Sequence, residues 1–347
     1  MSGAELLPAV AWDEPALPQE PARGYWASAC RKLARDRTAM TALGVLALIV
    51  VACLLAPLYA DRVSHTDPFA SNLNGTITLG GQDVAVMQPS TAGLGLGVTP
   101  IGPTWRWGPY LLGADTQGRD VAARLLYGGR NSLLISSLAT LICLVLAAAT
   151  GTIAGFFGGA VDRVISWLLD VLWAFPVFLL AISLSIVLIS HGITIGPIDI
   201  SAGSLALPIL IIGLIYVPYV ARPVRGQVLA LRRSEFVLAS IGLGMPDTRI
   251  LLRDVLPNVM TTLIVFAPLM LALDMVAEAA LSYLSIGVQP PDASWGTIIQ
   301  DGDTLLYTRP IVAAAPGIAI VITVLALNVL GDGVRDALDP RSKVRVR

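Results

Sequence analysis

The chain has 347 residues, of which 55% are hydrophobic and 14% are charged, and its mean hydropathy is +0.74. Soluble domains carry about 25% charged residues, so this composition excludes an ordinary soluble protein and predicts an integral membrane protein. The formal net charge of −1 excludes the basic surface typical of nucleic-acid-binding proteins, and we expect no nucleic-acid partner.

Six apolar runs are each near the roughly 17–25 residues that a membrane-spanning helix needs. They are residues 40–60, 133–157, 164–190, 205–221, 260–284 and 311–330. Six spans put both termini on one side, and the Lys and Arg residues concentrate in the termini and in the short segments on that side, which makes it cytoplasmic. We therefore predict an all-α membrane protein with six transmembrane helices and both termini in the cytoplasm.

The chain begins with two segments before the membrane. Residues 1–22 are rich in Pro, Asp and Glu, which predicts a disordered cytoplasmic tail, and they lack the basic start of a signal peptide. Residues 23–60 join a basic stretch that contains Tyr25 and Trp26 to the first span. We expect the basic stretch to be an amphipathic segment on the cytoplasmic membrane surface.

The segment at 61–130 is extracytoplasmic in this topology. Two runs with strand character flank Gly80 and Gly81, which predicts a small β-hairpin in the outer loop. The part at 72–109 either helps to receive a partner or is a variable insertion, and the insertion is favoured. Residues 112–131 carry an apolar face, with their arginines elsewhere, which predicts an amphipathic helix lying at the outer interface.

The third span contains a proline. Pro176 lies inside the run at 164–190, where we expect it to kink the helix. Gly155, Gly158 and Gly159 precede this span and predict a tight cytoplasmic turn between spans two and three.

Three carboxylates fall inside predicted spans, where charge is costly and often functional. Asp170 lies about two turns into span three, where it is a candidate to bind a basic partner near the cytoplasmic face. Asp274 and Glu278 are four residues apart and share one face of span five. Asp274 either lines the transport pathway and meets a cationic group, or it faces water or is hydrogen-bonded to a neighbouring helix, and the second alternative is favoured. The cysteines and histidines show no metal-ligand spacing, so no metal site is predicted.

Residues 234–257, between spans four and five, carry too many charges to lie in hydrocarbon. Ser234 is suited to cap a helix that has Glu235 in its first turn. Gly242 and Gly244 break that helix, and Pro246 suits the first position of a second one. The prediction is a short, bent, two-helix element outside the membrane. Its apolar side chains either pack on its own chain or dock another protein, and docking is favoured.

This stretch resembles the EAA loop of ABC-importer permeases, which reads Glu-Ala-Ala, three residues, Gly, nine residues, Ile, one residue, Leu-Pro. The matching positions are Ala239, Gly244, Leu256 and Pro257, and the departing ones are Leu238, Ser240 and Asp254. Glu235 fits the Glu-Tyr/Phe-Val opening that is common in peptide-type members.

Three further stretches resemble the C-type permeases of dipeptide, oligopeptide and nickel importers. They are Leu-Gly-Ala-Asp-Thr-Gln-Gly-Arg-Asp at 112–120, Glu-Ala-Ala-Leu-Ser-Tyr-Leu at 278–284 followed by Gly-Val-Gln-Pro-Pro, and Asn-Val-Leu-Gly-Asp-Gly-Val-Arg-Asp-Ala-Leu-Asp-Pro-Arg at 328–341. The resemblance implies the type I ABC-importer permease fold in a prokaryotic inner or plasma membrane. It places a permease core at 131–330 and a cytoplasmic tail at 331–347.

The resemblance also implies a function, an ATP-driven importer of di- or oligopeptides in which this chain is one permease subunit. Its implied partners are a B-type sister permease, one or two cytoplasmic ABC ATPases and an extracytoplasmic substrate-binding protein. The implied contacts to the ATPase are Glu235, Ala239, Gly244, Leu256 and Pro257.

Two alternatives remain open at the level of sequence. One is uptake of nickel or another small solute. The other is a secondary transporter, a class that often shows inverted internal repeats, and none is visible here. A phosphate loop needs a lysine directly after a glycine, and neither of the two lysines follows one. We therefore expect no enzymatic activity and no cofactor on this chain, with ATP and Mg²⁺ bound by partner subunits.

Overall fold

The computed structural model describes residues 25–79, 81–90, 97–195, 198–201 and 203–339. The tail predicted at 1–22 lies outside this part of the chain, and so do residues 340–347 of the predicted C-terminal segment.

The regular structure is almost entirely helical. In chain order the helices are α1 (Tyr25–Arg35), α2 (Arg37–Leu54), α3 (Ala56–Tyr59), α4 (Val121–Phe157), α5 (Gly159–Ala174), α6 (Val177–His191), α7 (Ala206–Ile215), α8 (Val217–Leu231), α9 (Glu235–Gly242), α10 (Asp247–Ile250), α11 (Leu256–Tyr283), α12 (Trp295–Asp303) and α13 (Ile311–Leu338). Single π-helical turns follow α3 at Ala60–Ser64 and α10 at Leu251–Val255.

The described residues also contain three two-stranded antiparallel β-ribbons. They pair β1 (Thr76–Leu79) with β2 (Gln82–Ala85), β3 (Met87–Pro89) with β4 (Val98–Pro100), and β5 (Ile193–Ile195) with β6 (Ile198–Ile200). The first ribbon is the predicted hairpin, with Leu79 opposite Gln82. Val86, Ile101, Tyr110 and Ala114 form a small buried core beneath these outer strands.

The all-α membrane fold is confirmed, and the described residues contain four to six candidate spans. Four continuous helical segments are long and apolar enough to cross a membrane, namely α2, α4, α13 and the run Asp247–Tyr283. The bent pairs α5 with α6 and α7 with α8 provide two more if each pair is one span.

The break in the third span is sharper than the predicted kink. Helix α5 ends at Ala174, α6 begins at Val177, and their axes differ by 89°. The residue before a proline is pushed out of the helical region, and Phe175 has an extended backbone with φ −90° and ψ 141°. The proline therefore divides this span into two helices.

The predicted interfacial helix at 112–131 is wrong. Helix α4 begins at Val121 and continues without interruption to Phe157, so its first turns are the start of span two. Of the three arginines expected to lie off the apolar face, Arg130 is exposed, whereas Arg119 and Arg124 are buried, with side-chain exposures of 6% and 2%.

These arginines belong to a buried cluster on the outer side. Arg119 contacts Asp115 at 2.7 Å and Asp301 at 2.8 Å, and Arg124 contacts Asp301 at 2.9 Å. Burial raises the pKa of Asp301, and the guanidinium groups of Arg124 and Arg119 act in the opposite direction. The cluster fixes the start of span two to α12, which the periodicity of residues 112–131 did not indicate.

Small residues let α4 approach α8 closely, as is common between membrane helices. A Cβ atom on Gly151 would lie 2.6 Å from the carbonyl oxygen of Ala221, and one on Gly155 would lie 2.8 Å from Val228 Cβ. Gly155 therefore serves helix packing, whereas Gly158 and Gly159, with φ of 66° and 56°, make the predicted turn.

Candidate functional site

The cytoplasmic element at 234–257 begins with α9, and Ser234 occupies the predicted N-cap position. Its side chain does not cap the helix, however. The Ser234 hydroxyl donates to the carbonyl oxygen of Leu231 at 2.5 Å. Glu235 lies in the first turn of α9 and is exposed, where its charge is favourable to the helix dipole.

Helix α9 ends in a glycine turn with the hydrogen bonds of a Schellman motif. Gly244 has φ +72°. Its N–H donates to the Ile241 carbonyl oxygen at 2.9 Å, and the Met245 N–H donates to the Ser240 carbonyl oxygen at 3.2 Å. A side chain at Gly244 would meet no atom within 4 Å, so the backbone conformation, and not space, is what favours glycine here.

The second helix of the element differs from the prediction. Pro246 is the N-cap of α10 and not its first residue. Helix α10, the π turn and α11 form one continuous run, Asp247–Tyr283, so Leu256 and Pro257 lie within a helix and do not mark a boundary. At the end of the π turn the Leu256 N–H donates to the Leu251 carbonyl oxygen. A helical proline clashes with the carbonyl four residues earlier, and the wider turn lets Pro257 follow without a break.

One side of α9 is anchored in the protein. Val237 is fully buried and packs in the same apolar core as Phe156, Ile250 and Val255. Ser240 adds a polar contact, because its hydroxyl donates to Asp254 Oδ2 at 2.9 Å. Ser240 and Asp254 both depart from the EAA pattern, and the fold brings these two departures together.

The other side of α9 is apolar and exposed. Leu238 is 53% exposed and Leu243 is 81% exposed, and Phe236 and Ile241 are exposed as well. Ala239 lies among them and is also exposed. Exposed apolar side chains of this size, grouped on one short helix, are typical of a protein interaction site.

Two ion pairs join α5 to α8. Asp170, predicted to bind a basic partner, contacts Arg222 of its own chain at 2.8 Å, and both side chains are largely exposed. The sequence interpretation missed the second pair. Arg225 donates through Nε and Nη2 to the two oxygens of Asp162 at 2.5 and 2.7 Å. This pair is less exposed and bidentate, which makes it the stronger of the two.

The two carboxylates of span five are buried. The Thr140 hydroxyl of α4 donates to Asp274 Oδ2 at 2.6 Å, so Asp274 links spans two and five. The Ser282 hydroxyl donates to Glu278 Oε1 at 2.7 Å. The second oxygen of each carboxylate has no hydrogen-bond partner among the described residues. Asp274 thus has the geometry of the alternative in which it is bonded to a neighbouring helix.

Residues 147–344 match the family described as binding-protein-dependent transport system inner membrane component, and residues 24–77 match the N-terminal TM domain of oligopeptide transport permease C.

Relatives match over most of the chain. The glutathione transport system permease protein GsiD of Escherichia coli O6:K15:H31 is 33% identical over 333 residues, which cover 95% of each chain. The dipeptide transport system permease protein DppC of Alkalihalophilus pseudofirmus is 31% identical over 319 residues, or 92% of this chain and 90% of the relative.

The fold is also similar to a solved structure. A chain of the inward-facing MetNI methionine ABC transporter superposes with a TM-score of 0.50 at 18% identity, covering 61% of this chain and 95% of that chain. This likeness concerns the fold alone. The two sequence matches and the near full-length relatives show that this chain belongs to the family of binding-protein-dependent transport system inner membrane components.

Proposed function

We propose that this chain is a permease subunit of an ATP-driven importer that carries peptides across a prokaryotic inner or plasma membrane. The observation that carries the proposal is the exposed apolar face of α9, which a buried Val237 holds rigidly on the cytoplasmic side. Relatives named for dipeptide and glutathione transport support a peptide substrate.

The family acts with ATPase and binding-protein partners, and we place the ATPase contact on the α9 face. Glu235 and Ala239 lie on the exposed surface of α9, and Gly244 sets the angle at which α9 leaves the membrane helix. Leu256 and Pro257 belong to the helix that continues into span five. Movement of an ATPase subunit against α9 would therefore act directly on span five as a rigid body.

Three roles remain outside this chain in the proposal. ATP and Mg²⁺ bind to one or two partner ATPase subunits, a substrate-binding protein delivers the peptide, and a B-type sister permease forms the other half of the pathway. The sister permease follows from the resemblance of residues 112–120 and 328–341 to C-type subunits of two-permease importers.

The carboxylates of the spans serve the permease in different ways. Asp274 is bonded to Thr140, and Asp170 to Arg222, which supports helix-positioning roles for both. Asp274 and Glu278 each keep one carboxylate oxygen without a partner among the described residues, and both remain candidates to accept a further hydrogen bond during transport.

Reconstitution tests the function. The chain, its sister permease, the ATPase subunits and the binding protein are placed in proteoliposomes, and uptake of labelled di- and tripeptides is followed with ATP or with a non-hydrolysable analogue. We expect ATP-dependent peptide uptake and no uptake of Ni²⁺. Uptake that proceeds without ATP on a proton or sodium gradient, or that is specific for Ni²⁺, would overturn the proposal.

A further inference from the structure

An apolar groove lies at the outer end of the first span. It has a volume of about 550 Å³, and apart from Arg62 every residue that lines it is aliphatic or aromatic. One wall comes from the end of α2 and from α3, and the other comes from the first turns of α4. The residues that matter most for its shape are Ala52, Leu55 and Leu58 on the first wall and Ala122, Leu125 and Leu126 on the second.

The groove lies at the boundary between hydrocarbon and water on the extracytoplasmic side of the membrane. Helix α2 has 18 residues and therefore spans about 27 Å, close to the thickness of the hydrocarbon layer. Because its first residue is on the cytoplasmic side in the topology derived above, residues 55–63 emerge at the outer boundary. Two aromatic residues, Tyr59 and Trp107, meet edge to face at the groove with ring centroids 6.1 Å apart, as is typical of that depth.

The rim of the groove carries a positive charge. The π turn Ala60–Ser64 places Arg62 and Val63 on the lining together. Arg62 is exposed, and among the described residues no carboxylate lies within 4.0 Å of its guanidinium group. An apolar trough below an available guanidinium group is complementary to a molecule with a long apolar chain and an anionic head.

We propose that this groove binds one glycerophospholipid of the outer leaflet, with an acyl chain along the trough and the phosphate at Arg62. A peptide substrate does not suit it, because the amide groups of a peptide would be buried without hydrogen-bond partners. An acyl chain has no such groups, and an arginine recognises phosphate through its planar set of N–H donors. The lipid would seal the seam between spans one and two.

The test uses the assembled importer in mild detergent and counts bound lipid by native mass spectrometry after delipidation and addition of phosphatidylglycerol or phosphatidylethanolamine. Arg62→Gln removes the phosphate contact, and Ala52→Phe fills the trough. Arg106→Gln and Ala47→Phe are matched controls, since both residues are exposed and neither lines the groove.

We expect the wild type and both controls to retain a phospholipid. Arg62→Gln should lower its apparent affinity about fivefold, the effect of one basic residue near an anionic headgroup, and Ala52→Phe should abolish its retention. If Arg62→Gln weakens the binding of phosphatidylglycerol more than that of phosphatidylethanolamine, Arg62 recognises the net charge of the headgroup. If it weakens the binding of both equally, Arg62 recognises the phosphate alone. Both support the proposal.

Two results would overturn it. One is unchanged retention in Arg62→Gln and Ala52→Phe, compared with their controls. The other is a disulfide in the assembled importer between Leu58→Cys and a cysteine placed in a span of the second permease, which would show that a protein helix fills the groove.

Discussion

Replacement of Gly244 by alanine tests whether the angle of α9 matters for transport. Gly244 has φ +72°, a conformation that costs an ordinary L-residue about 1–2 kcal/mol. A Cβ atom there would meet nothing within 4 Å, so the substitution adds backbone strain and no steric clash. That strain shifts the equilibrium between the native turn and other turn conformations by a factor of about 5–30 toward the others.

The strained turn would release the Met245 N–H from the Ser240 carbonyl oxygen, a bond of 3.2 Å in the native turn, and α9 would lose its fixed direction. We expect Gly244→Ala to insert normally into the membrane and to assemble, because Val237 still anchors α9 in the core. Peptide uptake per ATP hydrolysed should fall several-fold. Gly244→Asp adds a charge to the same strain and should uncouple hydrolysis from uptake further.

The assay is simultaneous measurement of ATP hydrolysis and peptide uptake in proteoliposomes, with the membrane fraction quantified for each variant. Gly242→Ala is the matched control, since a Cβ atom there also meets nothing within 4 Å but the residue is helical. An unchanged ratio of uptake to hydrolysis in Gly244→Ala, or an equal loss in Gly242→Ala, would refute the reasoning.

Three further predictions concern polar contacts. Ser240→Ala and Asp254→Ala should each lower thermal stability, and a double-mutant cycle should give a coupling energy of about 1 kcal/mol for their hydrogen bond; additive effects would show that the 2.9 Å contact contributes nothing. Asp162→Asn should destabilise the permease by about 1–2 kcal/mol. Asp170→Asn should destabilise it less, because its ion pair is largely exposed and is worth less than about 1 kcal/mol. Denaturation of the two variants side by side checks this order, and the reverse order would contradict it. Asp274→Ala should lower stability and reduce uptake of all peptides alike; uptake reduced only for particular peptides would place the carboxylate in the pathway, and unchanged uptake of every tested substrate would remove it from the pathway.

The sequence was sufficient to predict the helical membrane fold, the outer hairpin and the family. These features depend on hydrophobic length, turn residues and local motifs, which are all readable within a few residues. The turn at Gly244 is an example, because glycine adopts a φ of +72° without the steric strain that other residues would have.

Features that depend on contacts between distant residues were not predictable in the same way. The apolar face at 112–131 was consistent with a helix on the membrane surface, and only the pairing of Arg119 and Arg124 with Asp301 shows that the segment is buried. Likewise, Ser240 and Asp254 looked like separate departures from a motif until the fold joined them.

Proline gave the correct location of the break in span three but not its size. Pro176 was expected to kink a span, and it divides that span into helices 89° apart. At Pro257, by contrast, the helix continues through the proline after a π turn. Whether a helix bends or adjusts at a proline depends on the packing around it, which the local sequence does not contain.

Cross-linking tests most directly the claim that a separate ATPase acts on the exposed face of α9. A cysteine at Leu243, the most exposed residue of that face at 81%, is introduced with Cys30, the exposed native cysteine, replaced by serine. The account predicts that the purified importer contains a nucleotide-hydrolysing subunit that cross-links to this position, with a yield that changes between nucleotide-free and ATP-bound states. A functional assembly in which no such subunit is present, or in which it cross-links elsewhere and never to α9, would contradict the account.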